Sequence, residues 1–314
     1  MDVNAVFLQV VTGLQLGAIY ALIALGLTLI FGTLGVVNFA HGALYLIAIY
    51  SAVVIASHTN FLVAIVVVPL LLFLVGIVME RGLIRWFYNR PHTDQILVTF
   101  GLAIVVEEVM KWVFGANNIP FNLPAWGSGI FIFYGSADAI PPAPVFAAAP
   151  KLWVPFLEGF VTYQLWRVIL VAVSAVTIVA LFCLLQFTNF GLTVRAGMRD
   201  PQMVKFLGVN VMQKFAIVFG LGAAIAGIAG VFGGPITQVT PGVGMMLLVP
   251  SFLVVVIGGM GSLPGALIAS LIIGLALSFS AENANLQQIV VYLIAVVVLL
   301  VRPRGLLGKK GVFE

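Results

Sequence analysis

From Val6 to Phe31 the chain carries no charged side chain. Such a run decides the solvent first, because about 20 mostly apolar helical residues are what crosses a hydrocarbon core about 30 Å thick. Comparable runs follow at Phe61–Met79, Ile96–Phe114, Leu165–Phe187, Phe215–Gly233 and Pro264–Ser280, with shorter ones at Ala43–Ser57, Met245–Gly258 and Leu286–Val301. Lipid offers backbone groups no partner, so these runs must be helices rather than strands. Of all residues 62% are hydrophobic and 8% charged, where a soluble domain carries about 25% charge. That balance excludes a soluble enzyme, a disordered chain and a nucleic-acid-binding module. The expected fold is all-α, a polytopic membrane helical bundle in a single domain over residues 1–314, with about eight to ten spanning segments, some of them broken.

Lysine and arginine set the orientation. Arg81, Arg85 and Arg90 share one loop, Arg195, Arg199, Lys205 and Lys214 a second, and Arg302, Arg304, Lys309 and Lys310 the tail. The long loop 115–164 has only Lys151 among its basic residues and is rich in Pro, Ala, Gly and Phe. The positive-inside rule puts the three basic regions in the cytoplasm and loop 115–164 outside, as a periplasmic loop, with the N-terminus outside too. The start, Met1-Asp2-Val3-Asn4, lacks the basic region of a secretory leader, so the first apolar stretch is expected to stay as an anchor. Trp86, Trp112 and Trp166 fall at segment ends, where an interfacial aromatic belt belongs. The single cysteine, Cys183, stands in an apolar run and reads as a small buried hydrophobe, with no Cys/His cluster to hold a metal.

Two stretches interrupt the helices: Gly32–Gly42 and Gly258–Gly265, each leading into Gly-Ala-Leu, an echo in keeping with an internal repeat. Non-helical backbone at membrane depth survives only inside protein or beside a wet cavity; the other reading is a short turn at the interface. His41 stands in the first break as a polar pin for bent backbone rather than a titrating group, and Asn38 is placed to cap the following helix. Together with Tyr20 on the facing helix, Asn38 and His41 are the candidate translocation-path residues. Gly220, Gly222, Ala226, Gly230 and Gly234, like Gly13, Gly17 and Ala21, put small residues at near four-residue spacing, where a neighbouring backbone can come close. Glu107, Glu108 and Lys111 sit within an apolar run; an intramembrane carboxylate suggests ion coupling, while the Glu107–Lys111 spacing suggests a structural pair.

The most informative stretch is the cytoplasmic loop 188–214. Asp200 suits an N-cap, Pro201 the first helical position and Gly208 the exit. The implied helix, Pro201 to Leu207, is too short to stand alone in water. It offers Met203, Val204 and Leu207 on one side with Phe206 beside them, a patch suited to a partner's groove or to the lipid surface. No G-x-x-x-x-G-K-[ST] phosphate loop occurs, so this chain cannot bind ATP by that motif. Nor does any spacing suggest a nucleophile with its activating base. An engine would have to sit on another chain.

The run Gly13–Gly32 followed by Asn38-Phe-Ala-His-Gly42, the loop Arg195–Val211, and Ile257-Gly-Gly-Met-Gly-Ser-Leu-Pro-Gly265 resemble the LivH-type permeases of branched-chain amino acid ABC importers. The likeness runs from Gly13 to the Arg302-Pro-Arg-Gly305 tail. It implies an inner-membrane permease without cofactor that carries an amino-acid substrate. Its implied partners are a LivM-like second permease, two ABC ATPase subunits, a periplasmic substrate-binding protein and membrane lipid, with no nucleic acid. It also implies that Asp200–Gly208 is the coupling helix, with Arg199, Asp200, Pro201, Met203, Val204, Phe206, Leu207 and Gly208 meeting the ATPases. Relatives in this group carry urea, short amides or aromatic acids; Phe39 and Ala43, where a urea-type relative has Met and an acidic residue, favour amino acids. An ion-coupled secondary transporter using Glu107 or Glu108 is the competing class.

Overall fold

The computed structural model describes residues 2–136, 140 and 148–308; Lys309 and Lys310 of the basic tail lie outside them. All nine apolar runs are helices. With two further helices, α6 and α7, the described residues hold in chain order α1 (Val3–Leu34), α2 (His41–His58), α3 (Phe61–Gly82) and α4 (His92–Phe114), then α5 (Leu165–Phe187), α6 (Asn189–Arg199), α7 (Pro201–Phe206) and α8 (Val211–Gly233), and finally α9 (Val243–Gly258), α10 (Leu263–Phe279) and α11 (Ala284–Val301). Five of them, α1, α2, α3, α5 and α8, are long and apolar enough to cross a membrane, and α9, α10 and α11 are shorter apolar helices. The chain is a multi-pass membrane protein.

Between helices in lipid there is no hydrophobic drive, so close backbone approach supplies the packing. The glycines achieve it. A side chain at Gly13 would begin 2.8 Å from the Leu275 backbone on α10, and one at Gly222 would begin 3.0 Å from the Gly26 carbonyl on α1. On its other sides α8 meets α3, with Gly220 against Phe73, and α2, with Gly230 against Ala48. Helices α1 and α8 therefore form the buried axis of the bundle, and α2, α3 and α10 wrap it.

The outer helices are thinly attached. Helix α5 rests on the bundle through Trp166, Leu170, Ser174 and Leu181. Cys183 lies off that stripe and is exposed, which corrects the expectation of a buried thiol. Trp166 is no belt residue either: it is fully buried, and its indole N–H donates to the Phe232 carbonyl at 2.9 Å. Trp86 and Trp112 are strongly exposed, as a belt requires. Loop 115–164 holds a small sheet that its Pro- and Gly-rich composition concealed, with β1 (Ile130–Tyr134) between parallel β2 (Lys151–Trp153) and antiparallel β3 (Phe160–Gln164). Asn4 binds the backbone of Glu158 in both directions, so the start of α1 lies on the sheet's side of the bundle.

Candidate functional site

The first break is buried protein, narrower than the sequence implied. Helix α1 runs on to Leu34, Gly35 adopts φ +65°, and the chain is non-helical only until His41. Val36, Asn38 and Ala40 are almost wholly enclosed. Their depth follows from neighbours: the His41 ring lies against Gly26, which faces Gly222 at the middle of α8. Helix α2 thus begins half-way through the bundle. Its backbone needs partners there, and α4 supplies them. Gln95 Oε1 accepts from the Val37 N–H at 3.3 Å, and Thr99 Oγ1 accepts from the Phe39 N–H at 3.0 Å. Gln95 also donates to the Phe87 and Arg90 carbonyls. Asn38 does not cap α2 as expected: the N-cap is Ala40, without a side-chain cap bond, and Asn38 Oδ1 accepts from the Ala40 N–H at 3.1 Å within the break.

Helix α9 starts at the same level. Gly42 and Gly244 face each other so closely that a side chain at Gly42 would begin 2.5 Å from the Gly244 carbonyl. Two helix N-termini therefore cross inside the bundle, as in carriers built on broken helices. Buried side-chain atoms of α1, the break and α9 lack a hydrogen-bond partner: Thr28 Oγ1, Asn38 Nδ2 and Ser251 Oγ. The polar group against the His41 ring is the Ile23 backbone. Asn38 lines a cavity of about 10 Å³ with Leu27, Phe31, Phe252 and Val255, room for about one water. Tyr20 stands on α1 nearly two turns before Gly26, about 9 Å of rise, packed among the buried helices near Tyr45. Neither that cavity nor a larger one between α2, α3 and α4 is lined by Tyr20 or His41. The His41 N–H donates to the Asn38 carbonyl at 3.3 Å, while Tyr20 lies beside Tyr45, about one helical turn further along α2.

The second break differs. Residues 259–262 form a tight turn with Gly259 at φ +101° and Gly261 at φ +83°. The Leu306 and Leu307 N–H groups donate to the Ile257 and Gly258 carbonyls at the end of α9. This is a short turn between the ends of α9 and α10, in keeping with the second of the two readings. Both Gly-Ala-Leu glycines press on α9, Gly42 at its start and Gly265 at its end.

In the carboxylate cluster Lys111 Nζ lies 3.1 Å from Glu107 and 2.6 Å from Glu108. Glu107 also lies beside Gly242, the residue that opens α9. The lysine satisfies both acids, as the structural reading requires.

Loop 188–214 is more structured than its sequence announced. Thr188 caps α6 by accepting from the Gly191 N–H, and Arg195 donates to the Leu185 carbonyl. Asp200 Oδ1 accepts from the Gln202 and Met203 N–H groups at 3.0 and 2.9 Å, Pro201 opens α7, and Gly208 leaves it at φ +79°. The helix ends at Phe206, with Leu207 as its cap. Met203, Phe206 and Leu207 are exposed beside exposed Arg199 and Asp200. Val204 is the exception. It is buried on Val211 and Phe215, with Leu34 and Tyr88 packed against them, so it belongs to the seat of the helix and leaves the outward patch.

Residues 9–301 match the family model described as the branched-chain amino acid transport system / permease component. The chain belongs to this family. As a permease it is 30% identical to the high-affinity branched-chain amino acid transport system permease protein LivH of Escherichia coli strain K12, over 97% of this chain and 96% of the relative. It is 29% identical, over the same shares, to the corresponding protein BraD of Pseudomonas aeruginosa. A shorter likeness, 35% identity over 32% of this chain, joins it to the fructose import permease protein FrcC of Rhizobium meliloti. No solved structure matches.

Sequence reasoning missed two polar features that hold the connection from α3 to α4 and its surroundings. Gln95 and Thr99 are spaced one turn apart at the start of an apolar run, and that i,i+4 polar pair was the available signal. The other is Glu80, fully buried at the end of α3, which takes Arg85 at 3.0 Å and the Tyr88 hydroxyl at 2.6 Å. Burial, with the Glu80 carboxylate accepting its proton, pushes the Tyr88 hydroxyl above its ordinary range.

Proposed function

We propose that this permease is the membrane-embedded half of an inner-membrane ABC importer for branched-chain amino acids. It pairs with a LivM-like second permease. A periplasmic binding protein delivers cargo on the side of loop 115–164, and two ATPase subunits drive the pair through loop 188–214. The names and near-complete overlap of LivH and BraD support the cargo. The partial likeness to a fructose permease supports placing cargo choice largely with the binding protein, so urea, short amides or aromatic acids form the second reading.

The observation that carries the mechanism is α7, with Met203, Phe206 and Leu207 outward and Val204 packed in the cluster that includes Leu34. Leu34 is the last residue of α1 before the break that carries Asn38 and His41. A push on α7 by an ATPase would thus reach the break through one layer of packed side chains. Coupling by a packed element needs two arrangements that both ends bias, and the crossed starts of α2 and α9 are the element proposed here. Tyr20, Asn38 and His41 line the route only in the arrangement where the crossing opens.

Met203→Asp with Leu207→Asp tests the lever, because two charges on an exposed patch leave the seat of Val204 untouched. The ATPases are expected to be lost from the purified importer while the permease stays folded; undiminished co-purification would overturn the docking role. Titrating candidate amino acids, urea and amides against the partner binding protein then ranks the cargoes. For the ion-coupled alternative, Glu108→Gln is the discriminating variant: uptake should persist and remain ATP-dependent, and uptake driven by an ion gradient without ATP would favour that alternative.

A further inference from the structure

Helix α4 leans on α2 and leaves a gap toward α3, and the gap is a cavity of about 260 Å³. Its walls include Ala43, Ile47, Val75, Met79, Leu102 and Val106, and every lining side chain is apolar. Its floor is Leu83, where the connection from α3 to α4 begins. At the mouth, Gly82, itself a lining residue, has open space where a side chain would start. A void with no atoms to fill it forfeits dispersion contacts along its whole lining. In a membrane the filling at hand is an acyl chain.

The connection below the cavity supplies a headgroup's complement. It carries Arg81, Arg85 and Arg90, with Trp86 strongly exposed between them. Two of these cations are engaged: Arg85 with buried Glu80, and Arg90 with Asp94 at 4.0 Å while lying over the Phe87 ring. Arg81 is exposed, adjoins Gly82 and makes no ion pair among the described residues. Free arginine beside exposed tryptophan is what an interfacial phosphate meets.

The geometry points to an anionic phospholipid of the cytoplasmic leaflet as the occupant, with one acyl chain in the α2–α3–α4 cavity and its phosphate on Arg81. The seat lies where α2 leaves the break, for Ala40 and Ala43 form part of its wall. A bound chain would therefore brace the first turn of α2 without entering the route of cargo. This reading holds whichever solute the importer carries.

The test is photolabelling of the assembled importer in vesicles. One set contains phosphatidylglycerol with a diazirine on an acyl chain, the other phosphatidylcholine with the same chains. Adducts are expected at Ile47, Val75 or Leu102, about five-fold more from phosphatidylglycerol, the difference one arginine near a membrane surface produces. Arg81→Gln should bring that ratio close to one while keeping the adducts. Gly82→Phe, whose ring would enter the mouth, should lower cavity adducts from both lipids several-fold while adducts at exposed Val66 and Leu70 persist. Adducts at Val66 and Leu70 alone, equal yields from the two headgroups, or a ratio unchanged by Arg81→Gln would overturn the assignment. If Gly82→Phe does not assemble, the exposed Arg81→Gln substitution decides by itself.

Discussion

The two interruptions of this bundle read alike in sequence and are built in opposite ways. Residues 35–40 lead from the end of α1, beside the seat of α7, back to the level of Gly26, and two of their N–H groups are satisfied by side chains from another helix, Gln95 and Thr99. Residues 259–262 turn at a helix end, where the neighbouring tail backbone covers the last α9 carbonyls. A break at depth needs polar side chains brought to it, because lipid and apolar core offer nothing else. A break at an end needs only glycine geometry and a nearby strand of chain. The difference also separates their uses. Of the two, the first leaves a buried side-chain atom, Asn38 Nδ2, without a partner, and two helix starts cross beside it.

The sharpest way to break the comparison is at the crossing itself. Gly42→Val would put a β-branched side chain where even a Cβ lies 2.5 Å from the Gly244 carbonyl, between two backbones of the core. Overpacking of this kind costs about 1–3 kcal/mol or more when nothing can move aside. The expected result is loss of assembled permease from membranes, read by size-exclusion of the solubilised protein. A well-folded Gly42→Val permease would mean that the crossing is loose and that α2 and α9 already part.

Gln95→Leu and Thr99→Val sharpen it next. Each leaves an N–H of the break, buried at Val37 and part-buried at Phe39, without its partner, a loss of about 1–3 kcal/mol where no water reaches it. The two act on one segment, so their effects should not add. Thermal unfolding of the purified permease should show both singles clearly destabilised and the double less affected than their sum. If neither single moves the midpoint, water already satisfies Val37 and Phe39, and the break is wet rather than sealed.

What was legible follows from what lipid makes uniform. All nine apolar helices could be read, because length and absence of charge suffice. So could the Asp200, Pro201 and Gly208 frame of α7, because caps are local chemistry. Which face of an apolar helix lies inside could not be read, since lipid and protein interior favour the same residues. Trp166 and Cys183 were misjudged for that reason, one fully buried and the other exposed on the same helix. Val204 was misassigned because a helix of two turns leaves its buried side to be chosen by Val211 and Phe215 across a loop. Helix α6 was overlooked inside a loop marked by its charges, although Thr188 caps it. Gln95 and Thr99 were visible as residues, but their target lies about sixty positions earlier in the chain, a relation that local spacing does not contain.

The smallest expected effect belongs to the second break. A chain ending at Gly305 loses the Leu306 and Leu307 N–H groups that reach the Ile257 and Gly258 carbonyls at 2.7 and 3.0 Å. Each such bond contributes about 0.5–1.5 kcal/mol, and at a helix end water or a lipid headgroup can replace it. The unfolding midpoint should therefore fall by less than it does for Gln95→Leu, with assembly and ATP-driven uptake retained. The turn itself stays closed through the Ser262 N–H, which donates to the Gly259 carbonyl at 2.9 Å and is untouched by the truncation. A larger fall than at Gln95 would place residues 259–262 at membrane depth, shielded from water by the tail. In that case the two interruptions would be equivalent and the path would have two buried breaks instead of one.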